Sequence, residues 1–87
     1  MVSQRITVTN ASGLHARPAG ELSKLCSKCS SDIIIKVGEK RINPKSILIL
    51  MSAAIRRGTE IEVECSGETE KEDLELIINA IAGGLGE

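Results

Sequence analysis

Glu60-Ile-Glu-Val-Glu-Cys65 is the stretch on which the fold turns. Apolar and acidic residues alternate without a fault across it. Period two places Ile61, Val63 and Cys65 on one face and Glu60, Glu62 and Glu64 on the other, which predicts a strand with one side buried and one side wet. The half-covered sheet this strand implies needs helices on one face only. Downstream, Thr69 and Glu72 stand at capping-box spacing. Leu74, Ile77, Ile78 and Ile81 follow at helical spacing until Gly83-Gly84 stops them. Upstream of Gly58, Ser46 to Ala54 reads as a short helix capped by Asn43 or Ser46, with Asn43-Pro44 breaking the strand before it. Ile33–Val37 and Lys40–Asn43 read as two strands joined at Gly38-Glu39. Pro18 fits the first turn of a helix that carries Ala19, Leu22, Leu25, Cys26 and Cys29 and runs to about Ser30. Residues 2–9 read as the first strand, with Val2, Ile6 and Val8 on one face. The order is β-α-β-β-α-β-α. No repeat or linker divides it, so residues 1–87 are expected to form one α+β domain.

Composition narrows the function. The chain has 87 residues, with 12 isoleucines and 8 leucines for a core and no Phe, Tyr or Trp. Stacking of bases or sugars on aromatic rings is therefore excluded. The longest apolar run, Ile47 to Met51, falls far short of the roughly 20 residues of a membrane helix. With no charged-then-apolar leader either, a soluble cytoplasmic protein without membrane insertion is expected. Net charge is −1, against the basic footprint expected for direct nucleic-acid binding. That average hides a division. Residues 1–57 carry ten Lys/Arg and three Asp/Glu (+7), and residues 58–87 carry one Lys and nine Asp/Glu (−8). Such a pattern can steer an oppositely charged partner.

His15 is the only histidine. It follows Gly13 in a turn-rich segment and directly precedes the helix opened by Pro18. The first N–H groups of a helix lack internal partners, and its N-terminus carries a partial positive charge. A phosphoryl group on His15 would meet the backbone amides of Ala16 and Arg17, and the Arg17 guanidinium could clamp its oxygens in bidentate fashion. A nucleophile, an anion-binding helix end and a guanidinium within three residues suit covalent phosphoryl capture. The plain alternative is a histidine that only caps the helix.

Gly13-Leu-His-Ala-Arg-Pro-Ala19, with Asn43-Pro-Lys-Ser-Ile47, Met51-Ser52 and the final Gly-Leu-Gly-Glu, resembles the HPr phosphocarrier family of the bacterial sugar phosphotransferase system. The likeness spans essentially the whole chain. It implies an open-faced β-sandwich, a four-stranded antiparallel sheet with three helices on one face. It implies that His15 and Arg17 are the active-site pair, that enzyme I donates the phosphoryl group, and that IIA domains of sugar permeases accept it. The protein would be a carrier with a phosphohistidine intermediate, not an enzyme, and would need no cofactor. Ser46 matches the family's regulatory serine, which implies a Ser46 kinase/phosphorylase and a catabolite-control regulator as further partners. The position suits the modification, since a helix N-terminus accommodates the ~−2 charge of a phosphate. Lys24, Lys45, Ile47, Leu48 and Met51 are candidates for the partner-binding face. A monomer is expected of a carrier that visits several partners.

The chain departs from the family pattern at Ile49 and Ala54, where glycine is frequent, at Pro44 before the serine motif, and at Ile6 and Cys29, where aromatics are frequent. Two other functions compete. One is a regulatory binding module that acts through Ser46 with little phosphotransfer, although non-transferring relatives lack the histidine. The other is a metal or thiol-redox domain built on Cys26-x-x-Cys29. Both cysteines fall on an apolar helical stripe and no second pair exists, so buried thiols and no metal site are expected. Three free cysteines agree with a reducing compartment.

Overall fold

The computed structural model describes residues 1–86. Strand β1 (Val2–Thr7) is followed by helix α1 (Ala16–Lys28), strands β2 (Asp32–Val37) and β3 (Lys40–Ile42), helix α2 (Ile47–Ser52), strand β4 (Glu60–Ser66) and helix α3 (Glu70–Ala82). The sheet order is β1-β4-β2-β3, antiparallel throughout. The alternating strand β4 is therefore interior. Ile61 pairs with Ile6, Val63 with Gln4 and Ile35, and Cys65 with Val2 and Ile33. These residues share one face, and the helices close over it with Ala19, Leu22 and Cys26 from α1, Leu50 from α2, and Ile77, Ile78 and Ile81 from α3. The predicted one-sided sandwich is the observed one.

The other face of the sheet stays open and carries charge across the strands. Lys36 of β2 lies 3.6 Å from Glu62 and 3.4 Å from Glu64, and Arg41 of β3 lies 3.3 Å from Glu64. Part of the charge division seen in the sequence is thus neutralised inside the fold. With the cation of each pair in reach of solvent, the pairs contribute about 1 kcal/mol or less each. Glu64 departs from its expected exposure. The two cations cover it, and it is buried on the nominally wet face.

The ends of several elements differ from the sequence reading. The β1 ladder stops at Thr7, yet Val8 is fully buried and still pairs with the Gly58–Thr59 turn. Its N–H donates to the Thr59 carbonyl (2.9 Å), and its carbonyl accepts from Gly58 N (2.7 Å). The capping box of Thr69 and Glu72 does not form. The Thr69 hydroxyl donates to Asp73 Oδ2 (2.8 Å) and also bonds Ser30 Oγ (2.7 Å), so it caps no helix amide. Glu70 Oε1 accepts from Gly67 N (3.2 Å) and closes the approach to α3 instead. Sequence spacing named the N-cap residue correctly, but a tertiary partner claimed its hydroxyl.

That partner belongs to a polar hub under the turn between α1 and β2. Asp73, on the inner side of α3, accepts from Ser31 N (3.2 Å) and from the Ser31 hydroxyl. From the other side Lys45 Nζ donates to the carbonyls of Cys29 (3.3 Å) and Ser31 (2.8 Å). Ser23 Oγ of α1 donates in turn to the Lys45 carbonyl (3.1 Å). Two segments distant in sequence, α3 and the turn before α2, are thereby tied to one turn whose backbone groups would otherwise be orphaned.

Helix α2 is shorter than expected. It ends at Ser52, and Ala54 adopts φ +54°, the left-handed conformation that side chains disfavour by ~1–2 kcal/mol. Alanine here bears a cost that glycine would not, although glycine also loses ~0.5–1 kcal/mol more chain entropy on folding. Ala54→Gly is therefore expected to raise stability by about 0.5–1 kcal/mol, or a few degrees in Tm for a domain of this size. Thermal unfolding of the two proteins checks this; an unchanged or lower Tm would contradict it.

Candidate phosphoryl-transfer site

The loop before α1 is built on backbone groups. Gly13 N donates to the Asn10 carbonyl (3.0 Å), the Asn10 amide donates to the Gly13 carbonyl, and Leu14 N donates to the Ile55 carbonyl (2.9 Å). Gly13 has φ +62°, and a Cβ there would come within 2.8 Å of Arg56 Cα. Leu14 is fully buried. The next residue, His15, is exposed and extended (φ −135°, ψ 160°) at the N-cap of α1, and its ring makes no capping bond. The histidine does not act as a helix cap.

Beyond His15 the helix opens with Ala16, Arg17 and Pro18. Pro18 has no N–H, so the unpartnered amides expected of a first turn are those of His15, Ala16 and Arg17. A 13-residue helix adds its partial positive charge at this end. Ala16 holds φ +53°, a conformation that costs ~1–2 kcal/mol for alanine. The Arg17 side chain is exposed and folds toward the chain end, where a Cβ on Gly86 would lie 3.4 Å from its Nε. The arrangement offers an anion backbone donors, a dipole and a movable guanidinium.

Helix α2 packs beside this end of α1. A Cβ on Gly20, one turn past Ala16, would lie 3.7 Å from Ile47 Cδ1. Ser46 is the N-cap of α2, and its hydroxyl accepts from Ile49 N at 3.4 Å; Asn43 Oδ1 accepts from Lys45 N (3.0 Å) and shapes the turn before it. Only Leu50 of the helix is buried. Ile47 is 41%, Leu48 78% and Ile49 47% exposed, and Met51 is half-buried. Lys24 is exposed on α1. Lys45 differs from the sequence reading. Its ammonium is held on the α1–β2 turn, so its role in the fold is structural, and no local sequence pattern announces a contact with residues 14 and 16 positions earlier. Residues 10–15 read as turn-rich in the sequence, and the structure adds the bond from the Asn10 side chain that closes the turn.

The cysteines lie apart from the site. Cys26 and Cys65 are fully buried and Cys29 nearly so. Burial pushes the Cys26 thiol up to about 12 and the Cys65 thiol up to about 11, and it raises Cys29 with help from nearby Asp73. These groups remain thiols at neutral pH, not the thiolates that redox or metal chemistry uses. Among the described residues no group of three or more His, Cys, Asp or Glu is placed to hold a metal. No helix among them is long and apolar enough to cross a membrane.

Comparison with known proteins decides the family. The model described as "PTS HPr component phosphorylation site" matches residues 2–83. The chain belongs to the HPr family. The phosphocarrier protein HPr of Neisseria meningitidis serogroup A is 36% identical over 87 residues, covering all of this chain and 98% of its own. The HPr-like protein Crh of Bacillus subtilis is 40% identical over 77 residues, covering 88% and 91%. The crystal structure of Thermoanaerobacter tengcongensis HPr superposes with a TM-score of 0.96 at 33% identity, over 100% of this chain and 98% of that one, and a dimer of that HPr has also been solved. HPr proteins are phosphoryl carriers of the phosphotransferase system, and this chain is accordingly a carrier with a phosphohistidine intermediate, not a catalyst.

Proposed function

We propose that His15 accepts a phosphoryl group from phospho-enzyme I and passes it to IIA domains of sugar permeases. A ring nitrogen attacks phosphorus as the bond to the donor breaks; the acceptor's nucleophile then attacks phosphorus as the His15 N–P bond breaks, which returns the free imidazole. The observation that carries this reading is the exposed, extended His15 set at the start of α1, with the Ala16 and Arg17 amides following it. Arg17 swings from its place near Gly86 to neutralise the oxygens. The holding must stay modest, because a carrier that binds the phosphoryl state too tightly cannot release it.

Docking falls to the exposed side chains of Ile47 and Leu48 with half-buried Met51, and to the Lys24 ammonium; Lys45 contributes charge from a fixed position. Ser46 is the site of regulatory phosphorylation by a dedicated kinase, read by a catabolite-control regulator. Its N-cap position supports this, since a phosphate there adds charge beside the apolar patch with little cost to the helix. The carrier works as a cytoplasmic monomer. A purely regulatory role through Ser46 is the lesser reading, because an exposed His15 at a helix start would then have no task.

Intact-mass analysis after reaction with phosphoenolpyruvate and enzyme I tests the proposal. Wild type should gain one acid-labile phosphate and His15→Ala none; phosphate on His15→Ala, or none on wild type, would reject it. Charge supplies a further expectation. Arg17, Lys24, Lys28, Arg56 and Arg57 form no ion pair among the described residues and remain available to steer an acidic partner. Raising salt from ~0.05 to ~0.5 M should slow the second-order transfer from enzyme I about ten-fold. A rate independent of ionic strength in stopped-flow mixing would contradict steering.

A further inference from the structure

We propose that Asn10 is a positioning residue for phosphoryl transfer at His15, through a clamp its side-chain amide places on the Gly13–Leu14 peptide. The inference rests on His15 being the phosphoryl acceptor. His15 is exposed, and among the described residues no hydrogen bond or ion pair fixes its ring. Its direction must therefore come through the backbone. The Gly13–Leu14 peptide, one residue removed from His15, is gripped at both ends. The Gly13 carbonyl accepts from Asn10 Nδ2, and the Leu14 N–H donates to the Ile55 carbonyl at 2.9 Å. Leu14, the residue linking this peptide to His15, is fully buried, which anchors the link.

Of the two grips, the Ile55 carbonyl is main chain, present whatever the residue type. The Asn10 amide is the part that depends on a side chain. Asn10 is itself buried, and its own carbonyl accepts from Gly13 N at 3.0 Å, so one residue closes the turn through both its backbone and its side chain. Loss of the amide would leave the buried Gly13 carbonyl without this donor and free the peptide plane to tilt. A tilt there reorients the His15 backbone and the ring it carries relative to the Ala16 and Arg17 amides. Group transfer is sensitive to such displacement, and shifts near 1 Å cost one to two orders of magnitude in rate.

The test uses Asn10→Ala and Asn10→Leu, the second keeping the side-chain volume without a donor. Ser31→Ala serves as a control that weakens the fold away from the site. Single-turnover transfer from phospho-enzyme I is measured at matched folded fraction. The imidazole C–H resonances, which are unambiguous with one histidine, are followed by NMR against pH. Both Asn10 variants should transfer about ten-fold more slowly and show changed imidazole shifts and titration midpoint, while Ser31→Ala should leave rate and resonances as in wild type. Rates within two-fold of wild type, or a slowing that Ser31→Ala reproduces, would overturn the proposal. A wild-type chain that takes up no phosphate would overturn the reading of His15 instead, and the imidazole titration then still decides whether Asn10 sets the ring.

Discussion

Gly13→Ala is expected to lose about 3 kcal/mol of stability. Two costs coincide at this residue. Its φ of +62° lies in the left-handed region, worth ~1–2 kcal/mol against alanine. The added methyl would also meet main chain, not a side chain that can turn away. It would stand 2.8 Å from Arg56 Cα and 3.0 Å from Arg56 C, with the Ile55 carbonyl nearer still. Relief requires the loop and the segment after α2 to separate, which strains or breaks the Leu14 N–H bond to Ile55. Overpacking of this kind costs ~1–3 kcal/mol. Urea unfolding should show a lower midpoint with an unchanged slope. A loss under about 1 kcal/mol would mean that the two segments part easily and that the loop is not built against Ile55.

The second large effect belongs to Asp73. Asp73→Ala removes an acceptor shared by Ser31 N, Ser31 Oγ and Thr69 Oγ1, and leaves the buried Ser31 donors unanswered. Hydrogen bonds to a charged acceptor are worth more than neutral ones, and the expected loss at pH 7 is about 3 kcal/mol. The Ser31 hydroxyl, with further bonds from Thr69 and the Ser31 amide, holds the Asp73 carboxyl below its ordinary 3.8, against the opposing effect of burial. A lowered folded value gives stability that is present above the unfolded value and lost as pH falls through the folded one. The gap between wild type and Asp73→Ala should therefore be full at pH 7, start to shrink as pH drops below about 4, and narrow further toward pH 2. Urea midpoints of both proteins at pH 7, 4 and 2.5 measure it. A gap of equal size at all three would show that the carboxylate's charge plays no part.

What could be read from the sequence, and what could not, divides by the range of the interaction. The Glu60–Cys65 alternation fixed a one-sided sheet because side chains alternate on any strand, whatever its neighbours. While the cap of α2 was narrowed only to Asn43 or Ser46, the α1 and α3 stripes and the place of His15 before α1 were legible for the same local reason. Asp73, Lys45 and Glu64 were not. Each is charged, so composition assigns it to solvent, yet each is drawn inward by partners far off in sequence. Thr69 shows both sides: spacing named the helix start, but its hydroxyl answers Asp73 and Ser30 from across the fold. The left-handed Ala54 was visible only as a departure from a family habit, since nothing in an alanine announces a positive φ.

Helix α2 hangs on the rest of the molecule by one deeply seated side chain, Leu50, with Leu48 turned outward and Ile47 and Ile49 only partly covered. Leu48 can therefore change with little loss of stability, and Ile49 with a modest one. Variation there can recast the apolar surface this helix shows to solvent while the scaffold beneath stays put, so that outer texture and foldedness drift along nearly independent routes in evolution.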